Sequence, residues 1–198
     1  MVTEWLNMKK IKSSLLALVA VFALATPAAF AAPSGATASL SVYDAKFDEK
    51  IRKELVTLPY FGVFDNLAFR RDGSTVTLYG QVIRPTTRSA AESRVVRLKG
   101  VERVINRIEV LPLSRFDDDI RVRAYRAVFG TSSLYRYAMS ANPSVHIIVN
   151  RGRITLEGVV ANTMDARLAY IAARGVPGAF AVTNNLRVEN AGRDRRMS

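Results

Sequence analysis

The chain alternates between two hydrophobic rhythms, and it does so twice. In "DAKFDEKIRKELVTL", Phe47, Ile51, Leu55 and Leu58 recur at helical spacing, the signature of one buried helix face. Asp44 is placed to cap this helix and Pro59 to stop it. The rhythm then changes to period two. Leu67 and Phe69 alternate in "NLAFRR", Asp72-Gly73 marks a hairpin turn, and "TVTLYGQV" sets Val76, Leu78 and Gly80 on one face. A second helix is expected from Pro85, a good first-turn residue, to Lys99, with Ala91, Val95 and Leu98 inward and Gly100 at its end. "ERVINRIEVL" reads as a third strand, with Val104, Asn106, Ile108 and Val110 on one face.

The same order returns downstream. Asp117, Asp118 and Asp119 form an acidic first turn suited to a helix dipole, and Ile120, Ala124, Ala127 and Val128 form the stripe behind it. "SVHIIVN" and "RITLEGVV" predict a hairpin around Arg151-Gly152. A helix follows over about 162–174, with Leu168 and Ile171 read as inward, and "AFAVTNNLRV" closes the set. Val76–Val110 aligns with Ile154–Val188 without a gap at an offset of 78 residues, and Leu78/Leu156, Gly80/Gly158, Gly100/Gly178 and Asn106/Asn184 are identical. The pattern predicts an α+β protein of two tandem αββαβ two-layer modules, 44–112 and 116–190, joined by the short linker "LPLSRF". A glycine inside a strand weakens it unless something approaches closely. A helix crossing over Gly80 and Gly158 is the expected reason for both.

The first 31 residues follow neither rhythm. Lys9, Lys10 and Lys12 precede the apolar run "LLALVAVFALA", and Ala29-Phe30-Ala31 supplies a small-x-small end. This is the build of a secretory signal peptide cleaved after about Ala31, and the apolar run is shorter than the ~20 residues of a spanning helix. An uncleaved N-terminal anchor is the alternative. Residues 1–7 add nothing such a peptide requires, which makes Met8 a second candidate start. Residues 191–198, "GRDRRMS" after Ala191, read as a disordered basic tail. An exported, periplasmic protein follows, possessing no Cys and therefore no disulfide, thiol nucleophile or Cys-linked lipid anchor.

Charge narrows the partners. The formal net charge is +12, and +10 without residues 1–31. Basic surfaces favour anionic partners, and after export anionic phospholipid, lipopolysaccharide or an acidic protein is a better candidate than nucleic acid. A positive surface that merely aids solubility is the plain alternative.

"VTLYGQV…KGVERVINRIEVLPL" and "ITLEGVV…VPGAFAVTNNLRVE" resemble the BON domain, the module named for the osmotically inducible periplasmic protein and nodulation proteins. The strand-glycine pattern and the "GV-x-x-V-x-N-x-I/L-x-V" ending carry the resemblance. The second copy departs from it at Ala179 and Phe180 and inserts "GTSSLYRYAMSANP" between helix and hairpin. The resemblance implies a non-enzymatic envelope protein that binds phospholipid in envelope maintenance or osmotic stress protection. It supplies no catalytic motif and no cofactor.

The residues offer little chemistry of their own. His146 is the only histidine, and a lone histidine on a strand suits a sheet face better than a metal or base role. Adjacent helical carboxylates such as Asp117, Asp118 and Asp119 do not face one another. The candidate lipid-binding set is Arg121, Arg123, Arg126, Leu134, Tyr135, Arg136 and Tyr137, which combines arginines with rings in the inserted stretch. For Tyr135 and Tyr137 an exposed role and a core-capping role stand equally; for Phe61 and Phe64, in "LPYFGVFDNLAF", core capping is the better reading. Gly80, Gly158, Gly100 and Gly178 are expected to be structural. Other envelope proteins are the alternative partners, with the chain as a periplasmic chaperone or assembly adaptor working through sheet edges and aromatic loops.

Overall fold

A computed structural model describes residues 34–140 and 142–189. The expected signal peptide, its alternative as an anchor, and the basic tail lie outside these residues. The described chain runs α1 (Ser34–Val56), β1 (Asn66–Asp72), β2 (Thr75–Val82), α2 (Pro85–Val96), β3 (Arg103–Asn106), β4 (Glu109–Val110), α3 (Arg115–Phe129), a 3₁₀ turn (Tyr135–Tyr137), β5 (Val145–Asn150), β6 (Arg153–Val160), α4 (Thr163–Arg174) and β7 (Ala181–Val188). The architecture is the α+β arrangement the pattern predicts, with two small sheets. In each, the middle strand pairs antiparallel with the strand before it and parallel with the strand after the helix, in the orders β1-β2-β3 and β5-β6-β7.

Each half builds its own core between two helices and one sheet face. Ile51, Leu55 and Leu58 meet Val76, Leu78, Val82, Ala91 and Val95 in the first. Ile120, Ala124 and Val128 meet Ile147, Ile154, Leu156, Ala169 and Ala173 in the second.

The strand glycines have a different cause from the one expected. Gly80 and Gly158 have φ of +118° and +119°, and a Cβ on either would lie 2.0 Å from the carbonyl oxygen of Asn66 or Ser144. The close neighbour is the adjacent strand's backbone, not a crossing helix. Only glycine adopts this conformation without penalty. Gly100 and Gly178 also have positive φ, but they do not end the helices. α2 ends at Val96 and α4 at Arg174, and both glycines sit in the turn that follows.

Three further expectations change. α1 runs through Asp44, whose carboxylate pairs with Arg71 on β1 instead of capping the helix. The third strand of the first half is interrupted after Asn106, where Ile108 N donates to the Asn106 side chain at 3.1 Å and Ile108 is buried. On α4, Ala166, Ala169 and Ala173 face the core, while Leu168 is only partly buried and Ile171 is 65% exposed.

The two halves are fastened together by the loop between α1 and β1. Ile147 N, on the free edge of β5, donates to Val63 O at 2.7 Å. His146 Nδ1 lies 3.2 Å from Gly62 O, and its ring is 5.4 Å from that of Phe61. Phe61 packs on the first core, whereas Phe64 crosses to the second and meets Tyr125 edge-on. The loop is held in shape by Asp65, whose carboxylate accepts from Gly62 N at 3.1 Å and Ile83 N at 2.7 Å. Burial pushes the Asp65 carboxyl above its ordinary range despite these bonds. All of Val145–Val149 is buried as a result, where a two-layer module alone would leave His146 and Ile148 on the wet face.

Candidate membrane-facing surface

The inserted stretch between α3 and β5 is anchored to α4 through one carboxylate. Asn162 caps α4, its side chain accepting from Asp165 N at 2.8 Å. Asp165 Oδ2 in turn accepts from Tyr137 OH at 2.5 Å, from Asn162 Nδ2 at 3.1 Å and from the Arg136 guanidinium. Tyr137 OH accepts from Ala161 N and from Arg136, each at 2.9 Å. Burial works against the Asp165 anion, but the bonds from Tyr137 and Arg136 outweigh it and hold the carboxyl below its ordinary range. Leu134, 1% exposed, plugs the second core beneath this network.

The candidate residues therefore part company. Leu134 and Tyr137 are interior. Arg121 is 3% exposed; it pairs with Asp118 and donates to Val149 O at 2.9 Å. Its place is under the edge of β5, so it cannot meet a surface ligand. The physical reason is helix phase: Arg121 shares a turn with buried Asp117 and Ala124. Arg123 is half-buried beside Gly178, and Arg126 is exposed. Tyr135 is 57% exposed, and Arg136, although paired, keeps its guanidinium at the surface. The acidic triplet diverges too, with Asp117 accepting from Arg151 N and Gly152 N while Asp118 takes Arg121.

What the sequence reading missed is the outer face of α4. Met164, Leu168 and Ile171 fall at i, i+4 and i+7, and Met164 and Ile171 are exposed large apolar residues. Arg167 and Arg174 flank them, and neither is in an ion pair among the described residues. Exposed Tyr135 and Met139 belong to the turn that Asp165 fastens to the first turn of the same helix. The signal was present in the repeat. Carried through the offset of 78, Ala91, Val95 and Leu98 become Ala169, Ala173 and Val176, the phase observed. The larger side chains at Leu168 and Ile171 outweighed it.

Among the described residues no helix is long and apolar enough to cross a membrane. A family model for the BON domain matches residues 43–112 and 133–190. No curated protein matches the chain. Two solved structures of CdsD, a structural protein of the type III secretion system of Chlamydia trachomatis, are similar to it. One, the C-terminal domain, is 13% identical, with 71% of this chain and 96% of that chain covered and a TM-score of 0.25. The other is 14% identical, with 77% and 98% covered and a TM-score of 0.27.

Proposed function

The chain belongs to the BON-domain family, and from that premise we propose that it is a non-catalytic, exported envelope protein that binds anionic phospholipid surfaces. The contact is the outer face of α4 with the turn fastened to it. The observation that carries the reading is the pair Met164 and Ile171, 61% and 65% exposed, on one side of α4 with the partly buried Leu168 between them and Arg167 and Arg174 alongside. An amphipathic face of this kind suits the headgroup boundary. Each arginine near an anionic leaflet contributes about 1 kcal/mol, and each apolar side chain drawn from water about 1–2 kcal/mol. Binding is therefore weak, reversible and salt-sensitive.

Sedimentation of the full chain with phosphatidylglycerol-containing or purely phosphatidylcholine vesicles tests this. Retention on the anionic vesicles should fall at least tenfold in Ile171→Asp and drop with salt, while Arg121→Gln leaves it unchanged. Any contribution of the N-terminal apolar run is common to all variants. Equal retention on both vesicles, or by wild type and Ile171→Asp, would sink the proposal.

A second reading, an assembly adaptor for exported proteins, is favoured by β7. This strand pairs only with β6 among the described residues, and an open edge of this length can accept a partner strand. Capture of unfolded outer-membrane polypeptides without any vesicle binding would favour it.

A further inference from the structure

The loop over β5 closes an edge that the fold of one half does not require to be closed. The counterpart of β5 in the first half, β1, pairs only with β2 among the described residues, and Phe69 N, which corresponds to Ile147 N, has no partner there. β1 stands open because it carries the small Ala68 and the charged Arg70, both exposed, where β5 carries His146 and Ile148. With Val145, Ile147 and Val149 on its core face and Ile148 on the other, β5 is an edge strand apolar on both faces. Uncovered, such an edge accepts a further strand.

The cover is held by few contacts: the bond from Ile147 N to Val63 O, the Phe64 ring beside Tyr125, and His146 between Gly62 O and the Phe61 ring. Tyr60, where the loop begins, has φ of +66°, a strained conformation for a tyrosine that release would relieve. The histidine is the group that acid can change. Gly62 O only accepts, so the neutral imidazole carries its proton on Nδ1, and a second proton must go to Nε2, which has no acceptor among the described residues. No carboxylate bonds to the ring. Asp65 is taken up by Gly62 N and Ile83 N, and Glu157, opposite His146 on β6, accepts from Asn185 Nδ2 at 2.7 Å. The other charged groups whose fields reach this loop at Asp65, Arg84 and Arg121, are both cations. Burial, accordingly, holds the imidazole below its ordinary 6.5 while the loop is in place.

We infer that the loop is an acid-released latch: protonation of His146 frees residues 61–65 from β5, and the bared edge takes up an extended apolar segment of the loop's own chemistry. Such a segment supplies a backbone carbonyl to Ile147 N and an aromatic ring to the place beside Tyr125, the two contacts the loop itself makes. Arg121 still holds Val149 O, which confines the segment to the place the loop leaves. The open form hydrates the imidazole and protonates near 6.5, whereas the closed form resists until a lower pH. Acid therefore favours opening, by up to about tenfold one pH unit below 6.5, and the affinity for the incoming segment rises by the same factor. The latch lies apart from the outer face of α4, so its failure and a failure of vesicle binding are separate results.

Amide hydrogen exchange on the full chain at about pH 7.5 and 5.5, corrected for intrinsic rates, tests the latch. The protection factor of Ile147 should fall by about tenfold at the lower pH, with Tyr79 and Thr155 on the central strands unchanged, and the fall should vanish in His146→Leu. An equal fall at Tyr79 and Thr155 would mean general unfolding, and no fall at Ile147, or the same fall in His146→Leu, would mean that His146 does not control the loop; each overturns the latch. The capped, uncharged peptide Tyr-Phe-Gly-Val-Phe, the sequence of residues 60–64, tests the edge. It should bind about tenfold more tightly at pH 5.5 than at 7.5, with shifts at the Ile147 amide. Phe64→Ala, whose loop has lost its anchoring ring, should bind it at both pH values, and a peptide ending in Ala should bind to neither protein. Absence of binding at pH 5.5 and in Phe64→Ala would overturn the acceptor edge, and equal binding by the wild type at both pH values would overturn its gating by acid.

Discussion

The two halves are the same machine in their backbones and different molecules on their surfaces. Asn66 O rests against Gly80 as Ser144 O rests against Gly158. Asn106 donates to Arg88 O at 3.2 Å and accepts from Ile108 N, and Asn184 donates to Ala166 O at 3.0 Å and accepts from Leu186 N. Each of these partners is related by the offset of 78. Outside such positions the copies diverge. Met164, Leu168 and Ile171 stand where the first half has Thr86, Ala90 and Ser93, and Arg151 stands where it has Gly73. A glycine forced to positive φ, or an asparagine completing a strand's hydrogen bonds, is demanded by the fold in every copy. A residue on an outer helix face is free to change with function.

The sharpest way to break this equivalence is at the strand glycines. Gly80→Ala and Gly158→Ala should each cost about 3–5 kcal/mol, because the methyl group meets a carbonyl and the backbone is strained. Urea denaturation of the two variants should show matching losses; a mild loss in one alone would mean the halves tolerate the approach differently. Next comes the clasp between them. Phe64→Ala removes a half-buried ring from the second core and should cost about 2 kcal/mol. It should also split a single thermal transition into two, since the ring belongs to one half and its pocket to the other. A single, merely lowered transition would show that other contacts suffice to couple them.

The smallest effect is a pH dependence confined to the junction. Burial holds the His146 imidazole below its ordinary value of 6.5. As pH falls through that value the unfolded chain takes up a proton before the folded chain does, so stability present above it declines until the folded value is passed. Gly62 O and the backbone near Asp65 favour the cation, but less than burial disfavours it. Asp65, held above the carboxylate range, acts in the opposite sense at lower pH. Denaturant midpoints measured at about pH 7.5 and 5.5 should fall in the wild type and change less in His146→Leu. An equal fall in both would place the titration elsewhere.

Local pattern determined much of this protein. The duplicated order of elements, the inward faces of α1 and α2 and the hairpin at Arg151-Gly152 all follow from spacing, because each is set by neighbours a few residues apart. The candidate site was less legible. Tyr135 was open in the sequence and is outside, Tyr137 is inside, and Arg121 is drawn under β5 by a carbonyl 28 residues away. Only the tertiary structure decided that the loop around Val63 seals an edge of the other half, and that Gln81 and Arg153 wall one cavity. Burial of a side chain depends on what the rest of the chain lays over it, and periodicity carries no record of a partner dozens of residues away.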